Sequence, residues 1–416
     1  MTIRILPPPG APRRLAAAQL SNSVGDGAYY VCSALYFTRV VGLPPAQIGL
    51  GLTVAWAVGS VAGVPLGALA DRRGPRGTSV LLALATAAAV ASFLAIRSFW
   101  PFLLAACGYA IAQCGLAAAR QALLAGLVPP AGRTGVLAHL QAMLNAGLAL
   151  GAAAGGLALG VDSAAAYRAV FVLDALGFLL CAALLARLPA VAPAPVRPAA
   201  EPRRAAVLRD RPYAVVTLLN AVLLLRMPLL SLALPLWIVE RTQAPGWLVS
   251  ALFVLNTGAV MLFQVRMARP VTDLASARSA VRGSGRIMLA CCAVFALSAL
   301  PGSATAAGGL LVLGAALLVA GEMRQSAGSW QIGFGLAPAD RMGEYQGFFG
   351  VGVPVARTLG PLVLTSLLLL WGIPGWLLLG AVFLAASYAM GPAVRWAAAA
   401  AEGRAGQPVR PVVRSF

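Results

Sequence analysis

The chain has 416 residues, of which 60% are hydrophobic and 10% are charged, and its formal net charge is +19. Average soluble domains carry roughly 25% charged residues, so this chain has too few charges to cover its apolar side chains in water. The composition excludes an ordinary soluble enzyme and a disordered chain, and it predicts an integral membrane protein.

The apolar segments are long and continuous, as in the Ala- and Leu-rich run over residues 78–96. About 20 consecutive apolar residues cross a bilayer as a helix, whereas the strands of outer-membrane barrels show only weak alternation over segments of about ten residues. We therefore predict an all-α membrane protein.

Twelve apolar runs separated by turn signals predict twelve transmembrane helices. In chain order these helices cover residues 16–41, 46–69, 78–96, 101–128, 136–160, 167–188, 213–238, 246–267, 285–302, 306–335, 346–371 and 375–396. The segment between the sixth and seventh runs is rich in Pro and Arg, which is typical of a solvated linker. We predict an N-terminal six-helix bundle (1–188), a cytoplasmic linker (189–212), a C-terminal six-helix bundle (213–396) and a cytoplasmic basic tail (397–416).

The distribution of Arg predicts the orientation in the membrane. With the N-terminus placed inside, most loop arginines fall on the cytoplasmic side, and the arginines on the other side are Arg39, Arg97, Arg168 and Arg241. The positive-inside rule then places both termini in the cytoplasm. The basic residues are all Arg, as expected for a GC-rich bacterial genome, and we predict the bacterial cell (inner) membrane. Because they are scattered through short loops, they do not indicate a nucleic-acid partner.

A loop motif follows the second predicted helix and reads Gly-Ala-Leu-Ala-Asp-Arg-Arg-Gly-Pro-Arg over residues 67–76. It resembles the loop signature G-x-L-a-D-r-x-G-r-k of the major facilitator superfamily. The matches are Gly67, Leu69, Asp71, Arg72, Gly74 and Arg76, and Pro75 departs. Gly67 permits close helix packing, and Asp71 can bind the amides of a helix N-terminus or an Arg. The alternative is a basic loop that only obeys the positive-inside rule.

The resemblance implies two pseudo-symmetric six-helix bundles around a central cavity, with Gly67, Asp71, Arg72, Gly74 and Arg76 as a gating motif. A second pattern, in the fifth predicted helix, consists of Gly147, Gly151, Gly155 and Gly156. It resembles the g-x-x-x-G-P-x-x-G-G motif of the drug:proton antiporter groups, with Ala152 at the expected Pro, and Gly360-Pro361 holds the corresponding place in the other half. General small-residue packing explains the same glycines.

Charged residues inside the predicted spans are functional candidates, because an ionised side chain in hydrocarbon costs about 2.5–3.5 kcal/mol even on lenient scales. They are Asp26, Arg120, Asp174, Arg226, Glu322, Arg324 and Arg357. The family resemblance implies that helices one, four, seven and ten line the cavity, and five of these residues lie there. Asp26 is about 15 Å into its helix. We expect Asp26 and Glu322 to couple protons. For Asp26, the alternative is a permanent structural pair with an Arg. We expect Asp174 and Arg357 to be structural or gating residues.

Polar and aromatic side chains on the same helices are candidates for binding a substrate, since Tyr and Trp combine an apolar face with a polar group. Together with the cavity arginines they are Asn22, Tyr29, Tyr30, Tyr109, Gln113, Asn220, Arg226, Arg324 and Trp330, and we also consider Asn256 and Gln331. The alternative for each is an interhelical hydrogen bond.

The sequence therefore predicts a secondary active transporter and not an enzyme. We expect proton-coupled efflux of hydrophobic or cationic small molecules by alternating access. The alternative is a proton-coupled importer of a sugar or organic anion, which the arginines could bind. We expect no cofactor and no metal, and the expected partners of this predicted monomer are a small-molecule substrate, protons and the lipid bilayer. No nucleotide-binding Gly-Lys motif is present.

Overall fold

The computed structural model describes residues 7–193, 206–300 and 302–405. In the N-terminal half, six helices follow one another: α1 (Ala11–Leu35), α2 (Pro45–Arg73), α3 (Pro75–Ser92), α4 (Phe99–Leu127), α5 (Pro130–Val161) and α6 (Ala164–Ala186). A π-helical turn, Tyr36–Val40, extends α1, and a 3₁₀ turn, Phe93–Ala95, extends α3.

The C-terminal half contains α7 (Arg211–Leu224), α8 (Leu234–Arg241), α9 (Leu248–Ala268), α10 (Leu274–Leu297), α11 (Ala304–Leu336), α12 (Met342–Gly350), α13 (Gly352–Thr365) and α14 (Ile373–Ala405). Short 3₁₀ turns, Ala206–Arg209 and Ala339–Arg341, precede α7 and α12. Two π-helical turns, Leu229–Ala233 and Ser366–Leu370, precede α8 and follow α13.

The predicted seventh and eleventh helices are both broken, and a proline explains each break. Pro228 has no N–H to donate to the carbonyl of Leu224, where α7 ends, and the chain resumes through a π-helical turn into α8. Pro354 likewise leaves the carbonyl of Gly350 without its helical donor, and α12 and α13 meet at this point. Each broken pair follows the course of one predicted helix.

The other predicted helices have counterparts whose ends differ by a few residues, except the ninth. We predicted residues 285–302, but α10 runs over Leu274–Leu297. Asp273 starts it with a capping box, in which Asp273 Oδ1 accepts from the Ser276 amide at 2.7 Å. The prediction was wrong because the arginines in the first half of α10 interrupt the apolar run. The twelfth helix also continues to Ala405, past the predicted end at 396.

Within the described ranges, nine helices are long and apolar enough to cross a membrane, and the pair Ala339–Gly360 and Leu362–Leu368, bent by 47°, supplies a tenth candidate. Two predicted spans lie outside this group. The 25 residues of α1 include Asn22, Ser23 and Asp26, which lower its hydropathy, and α7 has only 14 residues. The first helix therefore falls outside the group because of its polar residues, and α7, which is apolar, falls outside because it is short.

Each half has its own apolar core. In the N-terminal half, α1 packs on α5 and α6, and α3 and α4 complete the bundle around Phe93, Phe102 and Phe171. In the C-terminal half, α10 packs on α11 and α14 around Trp237, Phe295 and Trp376. The halves meet where α2 contacts α12 and α5 contacts α9. The linker prediction falls mostly on residues 194–205, and the tail prediction mostly on 406–416, which lie outside the described ranges.

Candidate functional site

A cavity of about 430 Å³ lies between the two halves. Its walls come from α1, α2, α4 and α5 on one side and from α7, α11, α12 and α13 on the other. The charged residues on its surface are Asp26, Arg120, Arg226 and Arg357. A cavity of this size, shared between two bundles and lined by a few charges among apolar side chains, has the properties of a small-molecule site.

Asp26 lies on the N-terminal wall and is 6% exposed. Its carboxylate accepts from the Asn22 amide at 3.1 Å, the Tyr109 hydroxyl at 3.3 Å and the Gln113 amide at 3.3 Å. These donors are all uncharged, and no Arg or His nitrogen lies within 4.0 Å of Asp26 in the part of the chain that the structure describes. Asp26 therefore contacts the cavity through neutral hydrogen bonds and has no ion pair.

Asn22 joins Asp26 to the nearest guanidinium. The Asn22 amide donates to Asp26, and its carbonyl oxygen accepts from Arg120 Nη1 at 3.2 Å. The C-terminal half repeats this arrangement: the Asn220 carbonyl accepts from the Gln325 amide at 3.0 Å and from the Ser329 hydroxyl at 2.8 Å. An asparagine from the first helix of each half thus binds a polar side chain from the fourth, as the pseudo-symmetry of the halves predicts.

Arg226 occupies the break in the seventh predicted helix and is 7% exposed. It pairs with Glu322 at 2.9 Å and donates to Gln325 Oε1 through Nε at 3.0 Å and Nη2 at 2.8 Å. The Ser326 hydroxyl accepts a further bond at 3.0 Å. A guanidinium presents five donors in a fixed fork, so this many acceptors hold its plane rigidly. Arg226 is therefore neutralised by a carboxylate of its own half.

Arg357, on α13, is the exposed guanidinium of the cavity. It lies over the ring of Trp56, with its central carbon 5.7 Å from the ring centroid. Tyr30, also on the cavity wall, is 47% exposed although it belongs to a helix of the interior. Within the described ranges Arg357 has no carboxylate within 4.0 Å. This guanidinium consequently remains available to a ligand.

The two halves are joined at one face of the molecule, which we term the latch face and define by Asp71, Gly343 and Thr134. The Asp71 carboxylate accepts from the backbone amides of Gly343 at 2.7 Å and Glu344 at 2.9 Å. These amides belong to the first turn of α12, where free N–H groups and the helix dipole favour an anion. Asp71 therefore connects the end of α2 to the start of α12 across the interface.

The remaining residues of the loop motif lie around this contact. A Cβ on Gly67 would collide with the backbone of Gly343, so glycine is what allows the two helices to touch. Gly74 has a φ of +97° and forms the turn between α2 and α3, a conformation that favours glycine. Arg76 donates to the carbonyl of Leu188 at 3.0 Å, and Arg72 is exposed.

A second bridge closes the same face. The Thr134 hydroxyl, on α5, donates to Gln331 of α11 at 2.8 Å, and the Gln331 amide donates to the carbonyl of Thr272 at 3.1 Å. Arg133 lies over the ring of Phe334, at 5.6 Å from its centroid. The latch face is thus closed by two separate sets of contacts between the halves.

On the opposite face, the short connection between α5 and α6 is fixed to the end of the first helix. Asp162 accepts from the Tyr167 hydroxyl at 2.5 Å and pairs with Arg39 at 2.6 Å. The Tyr167 hydrogen bond and then the Arg39 guanidinium hold the pKa of Asp162 below its ordinary value of 3.8. Both partners belong to the N-terminal half, so this pair does not join the halves.

The glycine pattern of α5 faces α1. A Cβ on Gly147 would lie 2.6 Å from Ser23 Cβ, one on Gly151 would lie 2.8 Å from the Ala28 nitrogen, and one on Gly155 would lie 3.0 Å from Val31 Cβ. Gly156 has nothing within 4 Å. The other half repeats the contact, since a Cβ on Gly360 would lie 2.5 Å from Pro228 Cγ. Close packing between helices one and five, and between seven and eleven, is what these glycines provide.

The structure brings most of the predicted binding residues to the cavity, and a few lie elsewhere. Asn22, Tyr30, Gln113, Asn220, Arg226 and Trp330 line it. Tyr109 reaches it only through Asp26, and Tyr29 is buried in an aromatic cluster with Phe93 and Phe171. Arg324 lies against α10, where a Cβ on Gly283 would be 3.0 Å from its Nη2. Glu322 contacts the cavity through Arg226.

Sequence reasoning missed other members of the wall. Trp56, Gln141, Gln325, Ser326 and Ser329 line the cavity, and so does Arg357, which we expected to be a structural or gating residue. Ser326 lies four residues before Trp330, which was predicted, and this helical spacing is the signal that could have indicated it. Asp174 lies behind the wall, fully buried against Gly25, and its oxygens have no hydrogen-bond partner among the described residues.

The described ranges contain no group of three or more His, Cys, Asp and Glu side chains that could hold a metal ion. In a comparison with known protein families, the model of the Major Facilitator Superfamily matches residues 15–361. The chain belongs to the Major Facilitator Superfamily. Members of this superfamily are membrane transporters, so the resemblance of the 67–76 loop indicated the family correctly, and the predicted all-α fold is confirmed. No curated protein matches the chain.

Solved structures share this Major Facilitator fold at low sequence identity. The human organic anion transporter MFSD10 (TETRAN) has a TM-score of 0.69 and 18% identity, covering 92% of this chain and 100% of its own. A bacterial homologue of the iron transporter ferroportin, in an outward-facing state, has a TM-score of 0.70 and 16% identity, covering 93% and 99%. The transporter FucP, in the outward conformation, has a TM-score of 0.66 and 15% identity, covering 92% and 97%. At such identities the likeness shows the fold alone.

Proposed function

We propose that this Major Facilitator protein is a proton-coupled secondary transporter whose central cavity binds a small organic anion. The observation that carries the proposal is the charge of the cavity wall. Three guanidiniums and one carboxylate face the cavity. Arg226 is paired with Glu322, so Arg120 and Arg357 remain against Asp26. A wall with this balance attracts an anionic group and repels a cation.

Arg120 and Arg357, which have no carboxylate partner within the described ranges, are suited to a carboxylate or phosphate substrate, because the fork of an Arg matches the two oxygens of such groups. Arg357 is stacked on Trp56, which also offers an apolar face to the rest of the molecule. Leu137, Leu140 and Leu144 of α5 add an apolar wall. A ligand with one anionic end and an apolar body fits these surroundings best.

Asp26 is the proposed proton carrier, with Glu322 as the second candidate. Asp26 has neutral donors around it and no ion pair, so adding a proton does not break a salt bridge. Asn22 links Asp26 to Arg120, which means that the charge of the acid acts on the guanidinium that would hold the substrate. Proton binding and anion binding are therefore coupled through one side-chain amide. Glu322 forms an ion pair with Arg226, so a proton that binds Glu322 must break this pair, whereas a proton that binds Asp26 breaks none.

The loop motif is proposed to act as the gate. With the orientation predicted from the arginines, the latch face is cytoplasmic, and the state described here is closed toward the cytoplasm. Asp71 then stabilises this state through α12, and rocking of the two halves opens the cavity to the cytoplasm when those bonds break. Both termini and the linker would lie on the same side, in the inner membrane of a bacterium.

A second candidate is proton-driven efflux of hydrophobic or cationic molecules, as in the drug:proton antiporter groups. The glycine pattern of α5 favours it, together with the apolar part of the cavity wall. The same glycines pack α5 against α1, which any member of the fold requires. The charge of the cavity wall favours the organic anion.

The test is transport in proteoliposomes under an imposed pH gradient, with a radiolabelled aromatic carboxylate, a sugar and a cationic dye offered separately. Cys114 lines the cavity and reports occupancy, since a bound ligand slows its reaction with a water-soluble maleimide. The proposal predicts gradient-driven movement of the carboxylate and protection of Cys114 by it, with a Cys114→Ala chain as the control. Movement and protection with the dye alone would contradict it and establish the second candidate.

A further inference from the structure

A second cavity, of about 380 Å³, lies between α10 and α14, apart from the central one, and shares no lining residue with it. Its lining includes Arg278, Arg282, Arg286 and Arg395, together with Ser279 and Tyr388. Three of the arginines are spaced by four residues along α10, so they form one stripe on that helix. We term this cavity the arginine pocket.

The arginines of this pocket form no ion pair in the part of the chain that the structure describes. Within the described ranges, no carboxylate lies within 4.0 Å of any of its four guanidiniums. The acid at the start of α10, Asp273, is bound to Ser276. Arg282 Nε is buried and has no hydrogen-bond partner. Four positive side chains around one space therefore lack the anion that such a cluster requires.

The position of the arginines along α10 makes the absence of a counter-anion energetically unfavourable. Arg282 and Arg286 lie about 12 Å and 18 Å from the start of α10 at 1.5 Å per residue. The helix is one of the membrane-crossing candidates, and an Arg in such a segment is unfavourable when it has no counter-charge. A bound anion would remove this cost, because it would accept hydrogen bonds from several guanidiniums at once.

The packing of α10 on α14 holds the central guanidinium in place. A Cβ on Gly391 would lie 2.5 Å from Arg282 Nη2, so the absence of a side chain there makes the space for it. The central carbon of Arg282 also lies 6.0 Å from the ring centroid of Tyr388. Gly391 and Tyr388 thus orient Arg282 within the pocket, which marks it as a built site rather than a collection of surface charges.

We propose that the arginine pocket binds the phosphate group of an anionic phospholipid. Tyr388 and Trp396 are 48% and 50% exposed on the same stretch of α14, as expected for side chains at the level of lipid headgroups. Val382 and Leu378 continue along α14 as exposed apolar residues against which acyl chains can pack. Phosphatidylglycerol places its phosphate on the guanidiniums, whereas the choline of a zwitterionic lipid adds a positive charge that the pocket repels.

The test is native mass spectrometry of the purified full chain, titrated with phosphatidylglycerol, phosphatidylcholine or inorganic phosphate. Each basic residue at an anionic headgroup contributes about fivefold, so the triple variant Arg278→Gln/Arg282→Gln/Arg286→Gln should bind phosphatidylglycerol about 100-fold more weakly. The control triple Arg13→Gln/Arg266→Gln/Arg269→Gln removes the same charge from exposed positions and should change binding by no more than about threefold.

Gly391→Ala keeps every charge and moves the Arg282 guanidinium, so it should weaken binding as well. This variant also serves if the triple variant fails to fold. The proposed site would be contradicted if the two triple variants lost the same affinity for phosphatidylglycerol, or if Gly391→Ala bound it as tightly as the native chain. Binding of phosphatidylcholine as tight as that of phosphatidylglycerol would overturn the selectivity for anionic lipid. Inorganic phosphate that binds equally tightly would show a site for the free ion instead.

Discussion

The carboxylate of Asp71, at the end of α2, accepts a hydrogen bond of 2.7 Å from the backbone amide of Gly343, at the start of α12. One bond thus links two residues 272 positions apart and joins the two halves of the molecule. The Glu344 amide donates a second bond to the same carboxylate. We expect the state closed at the latch face to depend on this carboxylate, because a helix N-terminus binds an anion better than a neutral group.

Asp71→Asn should open the latch face. The amide keeps one acceptor and brings an NH₂ group toward a backbone N–H, at a cost of about 2 kcal/mol, or about thirtyfold in the ratio of closed to open molecules. Spin labels at Arg73→Cys and Ala339→Cys, in a chain whose native cysteines are replaced, measure the distance across this face. The variant should show a longer distance.

The matched control is Asp273→Asn, at the pseudo-equivalent position of the other half. Its carboxylate caps α10 through Ser276 and contacts no residue of the N-terminal half in the described ranges. The distance distribution should not change in this variant. An unchanged distribution in Asp71→Asn would show that Asp71 does not hold the face shut.

Gly151→Ala should destabilise the packing of α5 on α1. The added methyl would meet the backbone of Val24 and Ala28, and overpacking of this kind costs about 1–3 kcal/mol. Gly156→Ala makes the same chemical change where nothing lies within 4 Å, so its stability should be unaltered. Thermal unfolding of both variants in detergent measures the difference. Equal stability of the two would refute the assigned contact.

The Arg226–Glu322 pair should show strong energetic coupling. Arg226→Gln leaves Glu322 without its counter-charge and should cost about 3 kcal/mol, since the Arg226 side chain is only 6% exposed. The double variant Arg226→Gln/Glu322→Gln should be more stable than Arg226→Gln alone by about 1 kcal/mol. The exposed pair of Arg39 and Asp162 is the control and should couple more weakly. Additive effects of the two changes at Arg226 and Glu322 would contradict the pair.

The Asp162 carboxylate should contribute to stability in a pH-dependent way. Because its pKa is below 3.8 in the folded protein, the unfolded chain takes up this proton first as the pH falls. The contribution is therefore complete above the ordinary Asp range and is lost as the pH falls through the folded pKa. Asp162→Asn should flatten the melting temperature profile below about pH 5, where the native carboxylate takes up its proton. A profile identical to that of the native chain would exclude this role.

The sequence predicted the broad architecture because hydropathy and helix length are local properties. It placed Asp71 in a gate because its motif is short and contiguous. The start of α10 was missed because Arg278, Arg282 and Arg286 interrupt the apolar run. These arginines line a pocket together with residues of α14, and such a contact between distant segments cannot be read from a local pattern. Arg324 is turned away from the cavity, which depends on the rotation of α11.

The sequence identified the interior charged residues by their positions inside the predicted spans, but it did not identify the side chains that they contact. A permanent Asp26–Arg pair was the alternative to proton coupling, and the structure instead gives Asp26 neutral donors, one of which, Asn22, also binds Arg120. Arg226 and Glu322 were identified separately, and their pairing follows from the break at Pro228, which sets where Arg226 points. Such contacts depend on tertiary packing, which a single sequence does not encode in any one segment.

The most direct measurement of the proposed function is proton-driven uptake in proteoliposomes that contain either the native chain or Asp26→Asn. The amide has the size of the acid, and its oxygen can still accept from Gln113 and Tyr109, but it loses the bond that Asn22 donates to the second oxygen and it cannot carry a proton. Asp26→Asn should lose accumulation of the organic anion under a pH gradient and keep exchange of that anion without a gradient. Undiminished accumulation driven by the pH gradient in Asp26→Asn would contradict the assignment of Asp26 as the proton carrier.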